Sequence, residues 1–194
     1  MKKPLIRFID CGANIGQSAD WALSFFSNRD ILIDSFEPLP QNYLILKDKF
    51  KDEERVRTHN FAISDSSKDK KFYCQNWGAR TGSSLILGKS STNENDNINV
   101  QCIDIADWII SNISEAEIPI FKIDIEGSEY EVLPHLFENN IHNLVKYWLV
   151  EFHPKVKVPN YNEAVIKESK EKLINLCDWA LDHESAEKML FDLK

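Results

Sequence analysis

Short apolar runs alternate with amphipathic stretches along this chain, and the alternation is typical of an α/β protein. The apolar runs are rich in isoleucine and are closed by turn residues, as expected of buried parallel strands. Five runs are predicted as parallel strands, namely the run that ends at Asp10 and residues 31–36, 56–63, 119–125 and 147–152. The pattern therefore predicts a mostly parallel, Rossmann-like sheet with helices on both faces.

The stretches between these runs carry apolar residues at helical spacing. Three helices are predicted from this spacing, at residues 15–28, 41–51 and 161–176. Asn14 is the expected N-cap of the first helix, and Asp104 is the expected N-cap of a further one. Near the end of the sequence, residues 178–182 and 188–193 are predicted to pair as an antiparallel hairpin.

One polar segment, residues 64–99, interrupts the alternation with Ser, Asn, Asp, Lys and Gly. The sequence predicts a single domain over residues 1–194 with this segment as an insertion, which contains a strand at residues 71–75 and a mobile tail. A long excursion within one domain is more often functional than idle. We therefore expect the insertion to form one wall of a binding site.

Composition and net charge limit the kinds of partner that this protein is expected to bind. The net charge of −8 argues against a protein that holds nucleic acid by neutralising phosphates. No stretch has the length and hydropathy of a membrane span, and the four cysteines include no C-x-x-C pair, as in a reducing compartment. We therefore expect a cytoplasmic protein with no nucleic-acid partner and no membrane span. The sequence leaves open whether the protein forms a homodimer.

The turn after the first strand indicates which ligand it binds. Gly12 and Gly16 give G-x-x-x-G, so the G-x-G-x-x-G fingerprint of dinucleotide binding is absent. Asp10 would repel a pyrophosphate but attract the ammonium and sulfonium groups of S-adenosylmethionine (SAM). The turn, including Asn14 and Ile15 at the start of the helix, is therefore predicted to bind SAM rather than NAD. The simpler alternative is that Asp10 only braces the turn through hydrogen bonds to the backbone.

A second acid follows the second strand. Glu37 lies 37 − 16 = 21 residues after Gly16, close to the spacing of about 20 residues at which a βαβ unit places an acid on a ribose diol. Glu37 is therefore the predicted ribose ligand, and an exposed acid at a strand end is the alternative. The adenine ring is expected near the end of the third strand, where Asn60, Phe61 and Ala62 are candidates and the choice stays open.

Acidic residues also gather at the predicted ends of the fourth and fifth strands. Asp124 is the first candidate for the catalytic base and also for a donor contact, and His153 is the second candidate base. Glu126 and Glu151 lie close to both in sequence and are candidate acceptor contacts, and Lys122 could pair with one of the acids. A divalent cation is an alternative, but the spacing requires no metal, and attraction for the sulfonium explains the acids equally well.

Several motifs together resemble the FkbM family of SAM-dependent methyltransferases, which share the class I methyltransferase fold with its antiparallel hairpin. The matching segments are I-D-C-G-A-N-I-G-Q-S at residues 9–18, F-E-P at 36–38, N-F-A-I-S-D at 60–65, G-S-S-L at 82–85, F-K-I-D-I-E-G-S-E-Y-E-V-L at 121–133 and V-E-F-H-P at 150–154. The resemblance implies methylation of a hydroxyl on a sugar, lipid-linked glycan or polyketide-like molecule, with S-adenosylhomocysteine (SAH) as product. It does not identify the acceptor.

Residues of the polar insertion complete the set of candidate site residues. Arg80 and Ser84 are candidate acceptor contacts. A non-catalytic protein that binds SAM in the same fold is the principal alternative, because the sequence alone does not demonstrate turnover. An NAD-dependent oxidoreductase is disfavoured by Asp10 and by the G-x-x-x-G spacing.

Overall fold

The structure is a computed structural model that describes residues 3–75, 82–153 and 162–194. Within these residues the strands are β1 (Leu5–Cys11), β2 (Ile31–Phe36), β3 (Val56–His59), β4 (Ala62–Ser64), β5 (Lys70–Gln75), β6 (Thr92–Val100), β7 (Cys102–Asp104), β8 (Glu117–Ile123), β9 (Tyr147–Val150) and β10 (Asp178–Ala180). The helices are α1 (Gln17–Phe25), α2 (Pro40–Lys49), α3 (Ile105–Asn112), α4 (Glu129–Glu138), α5 (Glu163–Leu176) and α6 (His183–Met189). Two short 3-10 helices are Ile141–Asn143 and Phe191–Leu193.

The central sheet has six strands in the order β10-β9-β8-β1-β2-β3, and every pairing within it is parallel. β1 and β8 lie in the middle, where both faces are covered, which explains their nearly continuous apolar sequences. Helices α1, α2 and α6 contribute to the core on one face, and α3, α4 and α5 contribute to the core on the other. The α/β fold with a mostly parallel sheet and helices on both faces is therefore confirmed.

The turn between β1 and α1 differs from its prediction in one detail. The helix begins at Gln17, and its N-cap is Gly16 with φ 93° rather than Asn14. Asn14 also has a positive φ, of 50°, so its backbone belongs to the turn and cannot start the helix. The prediction of Asn14 as the N-cap is wrong, whereas Asp104 caps α3 as expected through the N–H groups of Ala106 and Asp107.

The predicted C-terminal antiparallel hairpin is also wrong. β10 pairs in parallel with β9, and the chain after it forms helix α6. The local cause is a capping box, because the Asp182 carboxylate accepts from the Ser185 backbone N–H and the Ser185 hydroxyl bonds back to residue 182. Residues that resemble a turn in sequence are therefore the first turn of a helix.

The polar insertion is more regular than its composition indicates. β5 and β6 pair as an antiparallel ribbon, while β4 and β7 form a separate parallel pair that closes the insertion onto the domain. The tail for which the sequence predicts mobility supplies the first part of β6 (Thr92–Val100).

The predicted third strand, residues 56–63, divides into β3 and β4, because the Asn60 amide donates to two backbone carbonyls where the chain leaves the sheet. Arg80 lies outside the described residues. Among the described helices, none combines the length and apolarity that crossing a membrane requires.

The first turn is tied closely to the end of β8. Gly12 has φ 82°, and a Cβ atom added to it would lie 1.9 Å from the Asp124 carbonyl oxygen. No side chain fits at that distance, so a glycine is required here for two reasons at once. The turn and the end of β8 are consequently held in one arrangement.

Replacing Gly12 by alanine should destabilise the fold. We expect the free energy of unfolding, measured by urea denaturation, to fall by at least about 2 kcal/mol in Gly12→Ala, since the left-handed conformation and the backbone clash both oppose a Cβ. Gly82→Ala is the matched control, because its Cβ would meet only side chains, at 3.2 Å and beyond. Equal stability of the two variants would contradict this account of the turn.

Candidate active site

A pocket of about 670 Å³ opens at the carboxyl ends of β1, β2 and β8. Ligands of open α/β sheets bind at this end of the strands. The pocket brings together residues that the sequence predicts separately, namely Gly12, Asn14, Glu37, Ala62, Asp124 and Glu126. Phe72, Ser83 and Leu85 of the insertion also line it. The insertion therefore does form a wall of this pocket.

Glu37 is buried and held in place by the backbone. Its two carboxylate oxygens accept hydrogen bonds from the N–H groups of Asn14 and Leu39, each at 2.9 Å. Burial raises the pKa of Glu37 to about 7, even though these two N–H groups favour the charged form. Because each oxygen can accept more than one hydrogen bond, the carboxylate still has capacity for a ligand.

Asp10 lies beneath the pocket rather than in its wall. Its carboxylate is fully buried and lies 3.2 Å from Lys122 Nζ. Lys122 Nζ also donates to the carbonyl oxygen of Gly12 at 2.9 Å and lies 3.5 Å from Asp124. Burial alone would lower the pKa of Lys122, but the charges of Asp10 and Asp124 outweigh it and raise the pKa. Lys122 is thus a buried cation beside Asp10. A direct contact between Asp10 and the ammonium group of SAM stays a prediction.

Three further predicted donor contacts face away from the pocket or brace it. The carbonyl groups of Ile15 and Gly16 accept from Lys49 Nζ at 3.3 and 3.4 Å. Asn60 uses its side-chain amide to donate to the carbonyls of Glu37 and Pro38. Asn60 therefore positions Glu37, while Phe61 and Ala62, the other candidates for the adenine site, line the pocket itself.

Asp124, Glu126 and His153 gather at the ends of β8 and β9. His153 Nε2 lies 3.1 Å from a Glu126 oxygen and 3.8 Å from an Asp124 oxygen. On its other side, His153 Nδ1 lies 2.9 Å from Glu129, which is completely buried and also accepts from the His153 backbone N–H. Glu151, whose side chain is 58% exposed, lies 3.9 Å from His153 Nε2.

His153 is a cation in this setting. Burial alone would lower the pKa of His153, but the hydrogen bonds to Glu126 and Glu129 outweigh burial and raise the pKa to about 10. A group that is already protonated at neutral pH cannot take a proton from a hydroxyl. The interpretation of His153 as a second candidate base therefore changes, since its charge suits it for orienting and neutralising the neighbouring acids.

The insertion reaches this cluster through two residues, one of which the sequence analysis missed. Lys89 is almost completely buried, forms an ion pair with Glu126 and donates to the Gly82 carbonyl at 3.0 Å. Ser84 donates to the Glu126 carbonyl at 2.7 Å. Lys89 could not be found from sequence, because nothing local separates a buried lysine from the solvated lysines typical of a polar segment.

The same cluster has the composition of a metal site. One ligand atom each from Asp124, Glu126 and His153 lies within 4.8 Å of the others. In the described arrangement, however, Glu126 is already paired with Lys89 and with protonated His153. A metal ligand must be a neutral imidazole, so a divalent cation here would have to displace the His153 proton and compete with Lys89 for Glu126.

A second cavity of about 490 Å³ also borders Asp124. It is lined by residues near the ends of β8, β9 and β10 and the starts of α1 and α6, namely Ser18, Lys122, Ile123, Asp124, Leu149, Glu151, Leu181, Asp182 and His183. Asp124 is therefore shared by the linings of this cavity and of the first pocket.

Comparisons with known proteins agree with these observations. The family described as "Methyltransferase FkbM domain" matches residues 10–172. Among solved structures, the chain is similar to the methyltransferase FkbM from Methylobacillus flagellatus KT, with 19% sequence identity and a TM-score of 0.48. The match covers 75% of this chain and 32% of that chain, so this chain spans about a third of its relative's length. No curated protein shows a significant match.

The protonation of His153 predicts how stability changes with pH. The folded pKa of about 10 lies above the unfolded value of about 6.5, so this stabilisation is complete below about pH 6.5 and is lost as pH rises towards 10. We expect the difference in free energy of unfolding between the wild type and His153→Gln to shrink over that interval in urea titrations. In Glu129→Gln the decline should start at the same pH but be smaller and end at a lower pH, because the loss of one anionic partner lowers the folded pKa of His153. An NMR titration that finds the imidazole neutral at pH 7.5 would contradict the assignment.

Proposed function

This chain belongs to the FkbM methyltransferase family, and from that premise we propose that it is a SAM-dependent enzyme that methylates a hydroxyl group. The proposed acceptor is a sugar, a lipid-linked glycan or a polyketide-like small molecule. We propose that residues 1–194 act as one domain. The observation that carries the proposal is that Asp124 lines both cavities, as a residue that acts between two substrates must.

The first pocket suits the donor. Glu37 presents a carboxylate for the ribose hydroxyls, and the apolar surface of Phe61, Ala62 and Ile63 suits the adenine ring. Two buried polar atoms of the lining, Asn14 Oδ1 and Ser128 Oγ, have no hydrogen-bond partner among the residues that the structure describes. Buried polar atoms are normally paired, so these two support a polar ligand in the pocket.

The chemistry needs alignment and the removal of one proton. When bound, SAM supplies a methyl group activated by its sulfonium, and the carbon–sulfur bond breaks with its electron pair remaining on sulfur, which gives SAH. The proposed role of Asp124 is to accept the proton of the acceptor hydroxyl as the new oxygen–carbon bond forms. Lys122, 3.5 Å from Asp124, holds that carboxylate in position. Of the predicted acceptor contacts, Glu151 is proposed to face the acceptor, whereas Glu126, held by Ser84 and Lys89, lies in the wall of the first pocket.

Ligand binding tests the donor site directly. In calorimetry, Glu37→Gln should bind SAH more weakly by about 1–3 kcal/mol, because the ribose hydroxyls lose a charged acceptor. Since burial raises the pKa of Glu37 to about 7, wild-type affinity should increase between pH 6 and pH 8, and this dependence should vanish in the variant. Glu53→Gln is the control, since Glu53 pairs with Arg55 at the surface away from the pocket. Equal affinity of Glu37→Gln and wild type, or preference for NAD over SAH, would refute the assignment.

A second variant separates catalysis from donor binding. Asp124→Asn should keep SAH affinity within a few-fold of wild type but lose about 10²–10⁴-fold in methyl transfer, the usual cost of removing a general base. The assay measures radiolabelled methyl transfer to whichever member of a glycoside and polyol panel the wild type methylates. Asp107→Asn, an exposed acid on α3, is the control. Loss of SAH binding in Asp124→Asn would identify Asp124 as a donor ligand instead.

A further inference from the structure

We propose that the second cavity is the acceptor site, and that its acceptor carries an ammonium group close to the hydroxyl that is methylated, as an amino sugar does. This inference rests on the proposed function, because it assigns the first pocket to the donor. It names a site outside the predicted set of acceptor contacts, apart from Glu151 and the shared Asp124.

The position of the second cavity supports its assignment as the acceptor site. The cavity and the first pocket share Asp124 in their linings, so a molecule in the cavity lies against the same residue as a donor in the first pocket. In-line displacement requires the attacking oxygen and the leaving sulfur on opposite sides of the methyl carbon. Two separate spaces that share Asp124 allow such an arrangement.

Charge supports a cationic acceptor. Three carboxylates line the cavity, those of Asp124, Glu151 and Asp182. The positive charge of Lys122 is already shared with fully buried Asp10, at 3.2 Å. Burial, assisted by the charge of Lys122, lowers the pKa of His183. Protonated His153 lies 3.8 Å from Asp124 and 3.9 Å from Glu151, but its charge is shared with Glu126 and Glu129. The carboxylates therefore outnumber the cations around the cavity, which favours an ammonium group and disfavours phosphate or carboxylate.

The remaining lining suits a ring with both polar and apolar faces. Ser18 Oγ lies 3.3 Å from His183 Nε2, and the His183 ring stacks on Trp21 with centroids 4.6 Å apart. Ser18 and His183 thus form a fixed, neutral polar pair at one side of the cavity. Leu149 and Leu181 supply an apolar surface. Hydroxyl groups and ring carbons of a small sugar would meet matching partners here.

The test uses three methyl glycosides as probes, with the full chain saturated in SAH. Methyl glucosaminide carries an ammonium group, methyl glucoside is neutral and methyl glucuronide is anionic. We expect saturation-transfer NMR to show methyl glucosaminide binding at least about fivefold more tightly than methyl glucoside, with methyl glucuronide weakest. In Glu151→Gln the affinity for methyl glucosaminide should fall towards the affinity for methyl glucoside. Glu171→Gln, an exposed acid on α5, should keep the wild-type order.

The outcomes separate this inference from the proposed function. SAH binding with no preference for the amine, or with none of the probes bound, would overturn the inference and leave the donor site standing. Failure of the wild type to bind SAH would overturn the proposed function itself. A Ser18→Ala or Glu151→Gln variant that loses SAH affinity would show that the cavity holds the amino-acid end of the donor, which also overturns the inference.

Discussion

The site depends on one buried ammonium group. Lys122 Nζ contacts the Asp10 and Asp124 carboxylates and the backbone carbonyl of Gly12. A charge without partners is very costly in the interior, so the fold keeps Lys122 surrounded by acceptors. Those acceptors come from the turn after β1 and from the end of β8, which lie next to each other because the two strands pair. Any ligand that bridges the two strand ends therefore meets a preset arrangement.

Much of this arrangement was accessible from sequence. Buried parallel strands have a strong apolar signal, and parallel strands place their carboxyl ends at one edge, so Gly12, Glu37 and Asp124 could be expected to meet. The spacing between Gly16 and Glu37 carries information because one helix must fit between β1 and β2. The possible pairing of Lys122 with an acid also followed from its alternation with Asp124 along β8.

What could not be predicted depends on contacts between distant segments. The protonation state of His153 depends on Glu126 and Glu129, which come from the loop before α4 and from its first turn. Lys89 pairs with Glu126 across 37 positions of the sequence, and no local pattern records such a pair. At residues 183–189, the sequence fits a turn or a helix equally well, and the capping box of Asp182 and Ser185 decides for the helix.

The helix that replaces the expected hairpin also affects the rim of the sheet. β10 is an outermost strand of the six and has only three residues before α6 begins. Outermost strands offer unpaired backbone groups to other chains, and short ones offer too few to hold a partner. By turning into a helix here, the chain leaves little of this edge for another strand to join. Growth of the sheet past β10 is therefore disfavoured in any self-assembled form of this protein.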